Sequence, residues 1–194
     1  MAERPLILAS TSSYRRLLLD RLRLPYQVEA PGTDETPRPG EAPRDLAGRL
    51  AIAKATAVAA RHAAALVIGS DQVAALDGAV VSKPGDRAGA IAQLARSSGR
   101  TVDFHTALAV VDAASGRVRS TVETVPVVFR ALAMDEIERY VDLDRPFDCA
   151  GSFKAESLGI ALFDRIGGRD PTALVGLPLI SLAAMLRELG VAVP

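Results

Sequence analysis

The stretch that most constrains this chain is a pair of long β-type runs, Val102–Val111 and Arg117–Phe129, meeting at Ser115-Gly116. Both are rich in Val, Thr and Phe, and a Ser-Gly pair between such runs predicts a tight antiparallel turn. Two strands of that length need further strands and covering helices to bury their apolar faces. The flanking sequence supplies both. Leu6–Ala9 reads as a buried first strand, followed by a helix capped at Ser10 or Ser12 and running to about Arg23. Tyr26–Ala30 reads as a second strand, and Pro31–Pro43, with its prolines and glycines, as a loop. Pro43 suits the first position of an Ala-rich helix running to about His62. Ala65–Gly69 reads as a short apolar strand ending in Ser70-Asp71, and Leu76–Val81 as a hairpin around Asp77-Gly78. Asp86 caps a helix to about Ser97, Asp135–Val141 is a short helix, Gly151–Ser157 a polar loop, Gly159–Phe163 a strand and Pro178–Leu189 the closing helix. Such alternation predicts an α/β protein. The long central strands predict a mixed sheet in place of an ordinary doubly wound parallel one.

The length of 194 residues suits a single domain over 1–194, or two small lobes around one cleft. Lys and Arg total 23 and Asp and Glu also total 23, so no general basic footprint for a nucleic-acid polymer exists and any anionic ligand must be held by a local cluster. One cysteine, Cys149, excludes an internal disulfide and fits a reducing compartment. No charge-free apolar run reaches spanning length and no leader-like segment opens the chain, so no membrane is expected and a cytoplasmic protein is. His62 and His105 are the only histidines, which rules out a His-rich zinc site; a bound metal would be a hard cation on carboxylates, Mg²⁺ or Mn²⁺.

The reactive residue types gather in a few places. After the first strand come Ser10, Thr11, Ser12 and Ser13, then Arg15 and Arg16 in the first helical turn. Positive charge there opposes the helix dipole, which favours anions, so the arrangement suits a segment that binds one. Asp34-Glu35 stand in the Pro-rich loop, Lys54 inside the Ala-rich helix, Ser70-Asp71-Gln72 after the apolar strand, and Ser82-Lys83-Pro84 after the hairpin. Each alone has a structural reading: a helix cap, a solvated face, a snorkelling lysine. Asp71 is the most suggestive, because ligands of open α/β sheets gather at the carboxyl ends of strands. Together these types can hold a hard cation, bind phosphates and take a proton from water, the requirements of phosphoryl chemistry. Neither a Walker A motif nor G-x-G-x-x-G is present.

In order and spacing, Leu8-Ala9-Ser10-Thr11-Ser12-Ser13-Tyr14-Arg15-Arg16, Asp34-Glu35, Lys54, Gly69-Ser70-Asp71-Gln72, Ser82-Lys83-Pro84 and Ala150-Gly151-Ser152-Phe153 resemble the Maf-like nucleoside triphosphate pyrophosphatases over essentially the whole chain. The resemblance implies a Maf/ITPase-like α/β fold, an elongated curved mixed sheet flanked by helices with a central cleft between two lobes. It implies hydrolysis of a nucleoside triphosphate between the α and β phosphates with a divalent cation. By the same resemblance Ser10, Ser12 and Arg15 bind phosphate, Glu35 and Asp71 organise metal and water with Asp71 accepting the proton, and Lys54 and Lys83 neutralise phosphate charge. Ser70-Asp71-Gln72 and Ser152–Glu156 resemble the 7-methyl-GTP branch, which makes Tyr14, Gln72 and Glu156 the expected base-selecting residues. The pyrimidine branch, acting on dTTP and UTP, usually carries Thr after the aspartate and Gln where Glu156 stands. Two departures from the pattern are Ser13 in place of a usual proline and Tyr14 in place of a usual tryptophan. A dTTP/UTP pyrophosphatase and a non-catalytic nucleotide-binding regulator of septum formation are the rival expectations, and a homodimer is the implied assembly.

Overall fold

The computed structural model describes residues 4–194. Its sheet has seven strands: β1 (Leu6–Leu8), β2 (Gln27–Val28), β3 (Leu66–Leu76), β4 (Ala79–Val81), β5 (Thr101–Asp112), β6 (Arg117–Phe129) and β7 (Phe163–Ile166). Their order is β2-β1-β3-β5-β6-β7, with β4 paired to β3. β1 is parallel to β2 and β3, whereas β3, β5, β6 and β7 pair antiparallel, so the sheet is mixed as expected. The helices are α1 (Ser13–Leu19), α2 (Pro43–Ala59), α3 (Arg87–Ser97), α4 (Met134–Asp144) and α5 (Leu179–Glu188).

Local chemistry sets the helix starts. Ser12 is extended and its Oγ accepts from Arg15 N at 3.4 Å, Pro43 opens α2, and Asp86 Oδ1 accepts from Gly89 N at 2.7 Å at the head of α3. The β3–β4 turn places both Asp77 and Gly78 at positive φ, 49° and 77°, as a two-residue hairpin turn requires.

Alternation along β3 splits the core. Leu66 and Ile68 face α1 and α5 with Leu8, Leu18, Leu108, Leu182 and Leu186, while Val67 faces α2 with Leu50, Ala51, Ala55 and Val58. Further along, Ala74 and Leu76 join a separate cluster under α3 and α4 around Phe104, Phe129 and Phe153. Ser70, Asp71 and Gln72 fall where one core ends and the other begins.

Two expectations are corrected. β3 does not stop at Gly69 but runs through Ser70-Asp71-Gln72 to Leu76. Those polar residues stay in strand because β5 pairs continuously from Leu66 to Ala75 and their side chains find partners across the sheet. The apolar run Gly159–Phe163 is not a strand: Leu158–Leu162 is a short 3₁₀ helix, and β7 begins only at Phe163. Gly159 packs so tightly over the Lys154 backbone that a Cβ would lie 2.5 Å from its carbonyl oxygen, which makes this a compact local turn. Gly151–Ser157 is also less open than a plain loop, since Ala150–Ser152 forms a single 3₁₀ turn. Among the described residues no helix is long and apolar enough to cross a membrane.

Candidate active site

One edge of β3 is fully occupied by β5, so β1 and β4 share the other. β1 pairs with Leu66–Ile68 and β4 with Ala74–Leu76. Between them the strand edge at Gly69–Val73 carries no neighbouring strand among the described residues, and Asp71 is its midpoint. The end of β1 delivers Ser10 to one side of this gap; the end of β4 delivers Ser82-Lys83 to the other. Asp71 therefore does not end its own strand. The carboxyl end that matters is that of β1, past which β3 continues.

Gly69 explains how α2 reaches the gap. A Cβ at this position would sit 2.7 Å from Ala55 N and 2.9 Å from Ala55 Cβ, and closer still to the Ala51 carbonyl oxygen. The helix backbone thus lies directly on the strand. Lys54 comes down beside Gly69, on the face where Asp71 also points. Its Nζ donates to Asp71 Oδ1 at 2.6 Å and lies 2.6 Å from Glu35 Oε1, contributed by the Pro-rich loop. Lys54 and Asp71 are buried, whereas the Glu35 side chain is 60% exposed and reaches in from solvent. A buried lysine in an Ala-rich helix is tolerable only with such partners, so the snorkelling alternative is excluded.

Arg15 approaches from α1. Its Nε donates to the Gly176 carbonyl at 3.0 Å and an NH1 hydrogen to Ser10 Oγ at 3.3 Å. Burial lowers its pKa from the usual arginine value, while the charges of Asp71 and Glu35 act the other way. It has no carboxylate within ion-pair distance among the described residues and stands as a partly desolvated cation. Ser10 Oγ also accepts from Ser12 N at 3.2 Å, an ST-turn that leads into α1. Ser12 is the helix cap and Ser10 is the arginine's partner, two roles that the sequence left undivided.

The segment Ala173–Gly176 closes the other face. Ser70 Oγ donates to Ala107 O at 2.7 Å and meets Gly176 O at 2.9 Å. Gln72 Nε2 lies 2.9 Å from Thr106 Oγ1, 3.1 Å from Ala173 O and 2.9 Å from Leu174 O, and Thr106 Oγ1 donates to Ala173 O at 2.8 Å. The Gln72 amide is thereby committed to holding this segment. Asp170 anchors its start, accepting from Thr172 N, Thr172 Oγ1 and, at the head of α5, Ile180 N at 2.7 Å. Thr106, Asp170 and Gly176 were absent from the sequence expectations. Their contacts span up to 161 residues, which no local pattern reports.

Lys83 and Glu156 lie outside the charged cluster. Lys83 is exposed and has no ion-pair partner among the described residues. Glu156 lines a cavity of about 390 Å³ with Ile160, Gly167, Leu174 and Val175. Tyr14 is half-buried on α1; burial, and then the nearby Cys149, Asp148 and Glu156, raise its phenol pKa. Tyr14 and Glu156 thus come from distant parts of the chain to the same region. Glu35 and Asp71, both touching Lys54, have oxygens no further apart than twice their common 2.6 Å contact. Among the described residues no group of three or more His, Cys, Asp or Glu is gathered for a metal. The donor set is two carboxylates only, which suits Mg²⁺-type binding completed by substrate oxygens and water.

The family model described as "Maf-like protein" matches residues 5–189. The chain belongs to the Maf family. Among curated relatives, the 7-methyl-GTP pyrophosphatase of Aromatoleum aromaticum is 61% identical over 97% of both chains. Those of Ralstonia nicotianae and Xanthomonas oryzae pv. oryzae are each 57% identical, covering 95% of both chains and 97% and 98% respectively. In fold, this Maf chain is similar to the Staphylococcus aureus Ham1 protein, with TM-score 0.54 and 18% identity over 95% of this chain and 99% of that one. The mixed sheet expected of a Maf/ITPase-like fold is what the chain adopts.

Proposed function

We propose that this Maf protein hydrolyses a nucleoside triphosphate, foremost 7-methyl-GTP, between the α and β phosphates, releasing the nucleoside monophosphate and pyrophosphate. The observation that carries the reading is the Glu35–Lys54–Asp71 cluster in the sheet-edge gap, flanked by Arg15, in a chain 61% identical to a 7-methyl-GTP pyrophosphatase. A binding protein gains nothing from burying a lysine against two carboxylates; a hydrolase gains a base held in place.

The roles follow from geometry. Lys54 occupies Asp71 Oδ1, and Oδ2 is left to accept a proton from water at the gap. Arg15 and Ser10 bind the phosphates from one rim, and Lys83, exposed and without an ion-pair partner among the described residues, approaches them from the other. The bond from Arg15 Nε to the Gly176 carbonyl holds the guanidinium against this wall while charge develops on the phosphates. Glu35 and Asp71 would hold a Mg²⁺ or Mn²⁺ ion, with one of their two charges already balanced by Lys54. When bound, such an ion supplies charge neutralisation on the phosphate oxygens. Glu156 accepts from the guanine N1–H and N2–H₂, and its charge complements the cationic methylated ring; Tyr14 offers an aromatic face to the same ring.

The test is pyrophosphate release from 7-methyl-GTP, GTP, dTTP and UTP, with Mg²⁺, with Mn²⁺ and after chelation. The highest kcat/KM on 7-methyl-GTP, lost on chelation, is expected. Preference for dTTP or UTP overturns the substrate assignment, and full activity after exhaustive chelation overturns the metal.

A further inference from the structure

Gln93 lies on α3, outside the charged cluster and in none of the sequence motifs. Its side chain is buried, and both ends of its carboxamide are used. Nε2 donates to the Ser82 carbonyl at 2.9 Å, and Oε1 accepts from Ser152 Oγ at 2.6 Å. The orientation is dictated chemically: a backbone carbonyl can only accept, so the NH₂ group must face Ser82, and the Ser152 hydroxyl must then donate to the oxygen. Ser152 itself is fully buried and held at φ 61°, directly after Gly151 at φ 75°. That uncommon backbone aims its hydroxyl into α3 and turns the chain toward Glu156.

The two anchored residues begin the two loops that matter. Ser82 precedes Lys83, and Ser152 opens the run to Glu156. The Lys83 side chain has no hydrogen bond or ion pair among the described residues to place it, and Glu156 stands exposed at its cavity. We infer that Gln93 is a positioning residue that fixes the phosphate-neutralising Lys83 loop relative to the base-selecting Glu156 loop, and so matches the site to the span between a nucleotide's base and its phosphates. This rests on the proposed function. The Gln93 carboxamide donates to one loop from its NH₂ and accepts from the other at its oxygen; leucine, of similar size, can do neither.

The experiment measures kcat, KM and thermal midpoint for wild type, Gln93→Leu, Ser152→Ala, Lys83→Ala and the Gln93→Leu/Lys83→Ala double variant, on 7-methyl-GTP and GTP. These substrates share phosphates and differ only at the base. Gln93→Leu is expected to lower kcat/KM for 7-methyl-GTP at least tenfold and to shrink the 7-methyl-GTP/GTP ratio at least fivefold. In the Lys83→Ala background its effect on kcat should fall below threefold, because the lysine it positions is gone. Ser152→Ala keeps the Ser82 contact and should shrink the ratio while leaving kcat on GTP within threefold. A residue that only supports folding would lower both substrates alike and multiply with Lys83→Ala; that result overturns the inference. If Gln93→Leu does not fold, an unchanged base ratio in Ser152→Ala overturns it equally. Wild type without turnover on any nucleotide overturns the proposed function and this inference with it, whereas active wild type with multiplicative variants overturns the inference alone.

Discussion

Replacing Gly69 by alanine tests whether the α2–β3 contact builds the site. The added methyl would meet Ala55 N at 2.7 Å and Ala55 Cβ at 2.9 Å, and the Ala51 carbonyl more closely. Carbon–carbon contacts are ordinarily about 3.5–4.0 Å, so α2 must retreat by about 1 Å. Two of the three opposing atoms are backbone, which cannot rotate away as a side-chain tip can. Overpacking of this kind costs ~1–3 kcal/mol. In a chain of this length that corresponds to a thermal midpoint lower by roughly 2–12 °C. Activity should suffer more than stability. Lys54 rides on the retreating helix and Asp71 stays on the strand, so the 2.6 Å contact that seats the base is the distance that opens. A displacement of about 1 Å in a catalytic arrangement typically costs on the order of 10²-fold in rate. Calorimetry and pyrophosphate release on the same preparation give both numbers. Gly69→Ala that keeps wild-type kcat would refute the idea that this close approach positions the cluster, and an unchanged midpoint would refute the packing argument beneath it.

Asp71→Asn keeps shape but removes the proton acceptor, and should reduce kcat by roughly 10²–10⁴-fold while nucleotide binding, followed by calorimetry without turnover, survives; activity above about a tenth of wild type removes Asp71 from that role. Glu156→Gln should lower kcat/KM for 7-methyl-GTP by about tenfold or more, the size of a charged hydrogen bond worth ~1.5–3 kcal/mol, and Tyr14→Trp should keep or raise it. An unaltered nucleotide preference in Glu156→Gln would count against the base-selecting role. Cys149 is half-buried, and burial followed by the Asp148 carboxylate pushes its thiol up to about 12. Because the thiolate is the reactive form, iodoacetamide at pH 8 should label native protein at least ~100-fold more slowly than urea-unfolded protein, read by mass spectrometry.

Several features were legible in the sequence because their causes are local. Ser12 and Asp86 cap helices through their own side chains, Pro43 is preset for a first helical turn, and Asp77-Gly78 satisfies a tight hairpin. The long β5–β6 pair announced itself through its composition and the Ser115-Gly116 turn, and with it the mixed sheet. Even the chemical types of the site could be named, because phosphate and hard cations demand particular side chains whatever the fold. What the sequence could not decide was which elements become neighbours. Asp71 reads as a strand end, since a polar run ordinarily terminates a buried strand; β5 pairing and the partners of Ser70 and Gln72 carry the strand through it. Gln72 reads as a specificity residue, and the sequence gives no sign that its Nε2 also holds the Ala173–Gly176 segment about a hundred residues away. Gly159–Phe163 has the composition of a strand, but only Phe163 pairs, at the start of β7, and Leu158–Leu162 closes into a turn over Lys154 instead. Most of all, the active gap exists only because β1 stops at Leu8 and β4 starts pairing at Ala74 on the same edge of β3, while Gly69 lets α2 bring Lys54 against Asp71. Local propensity acts over a few residues, whereas an unpaired stretch of strand edge is a property of how distant segments share one sheet, and only the folded chain determines it.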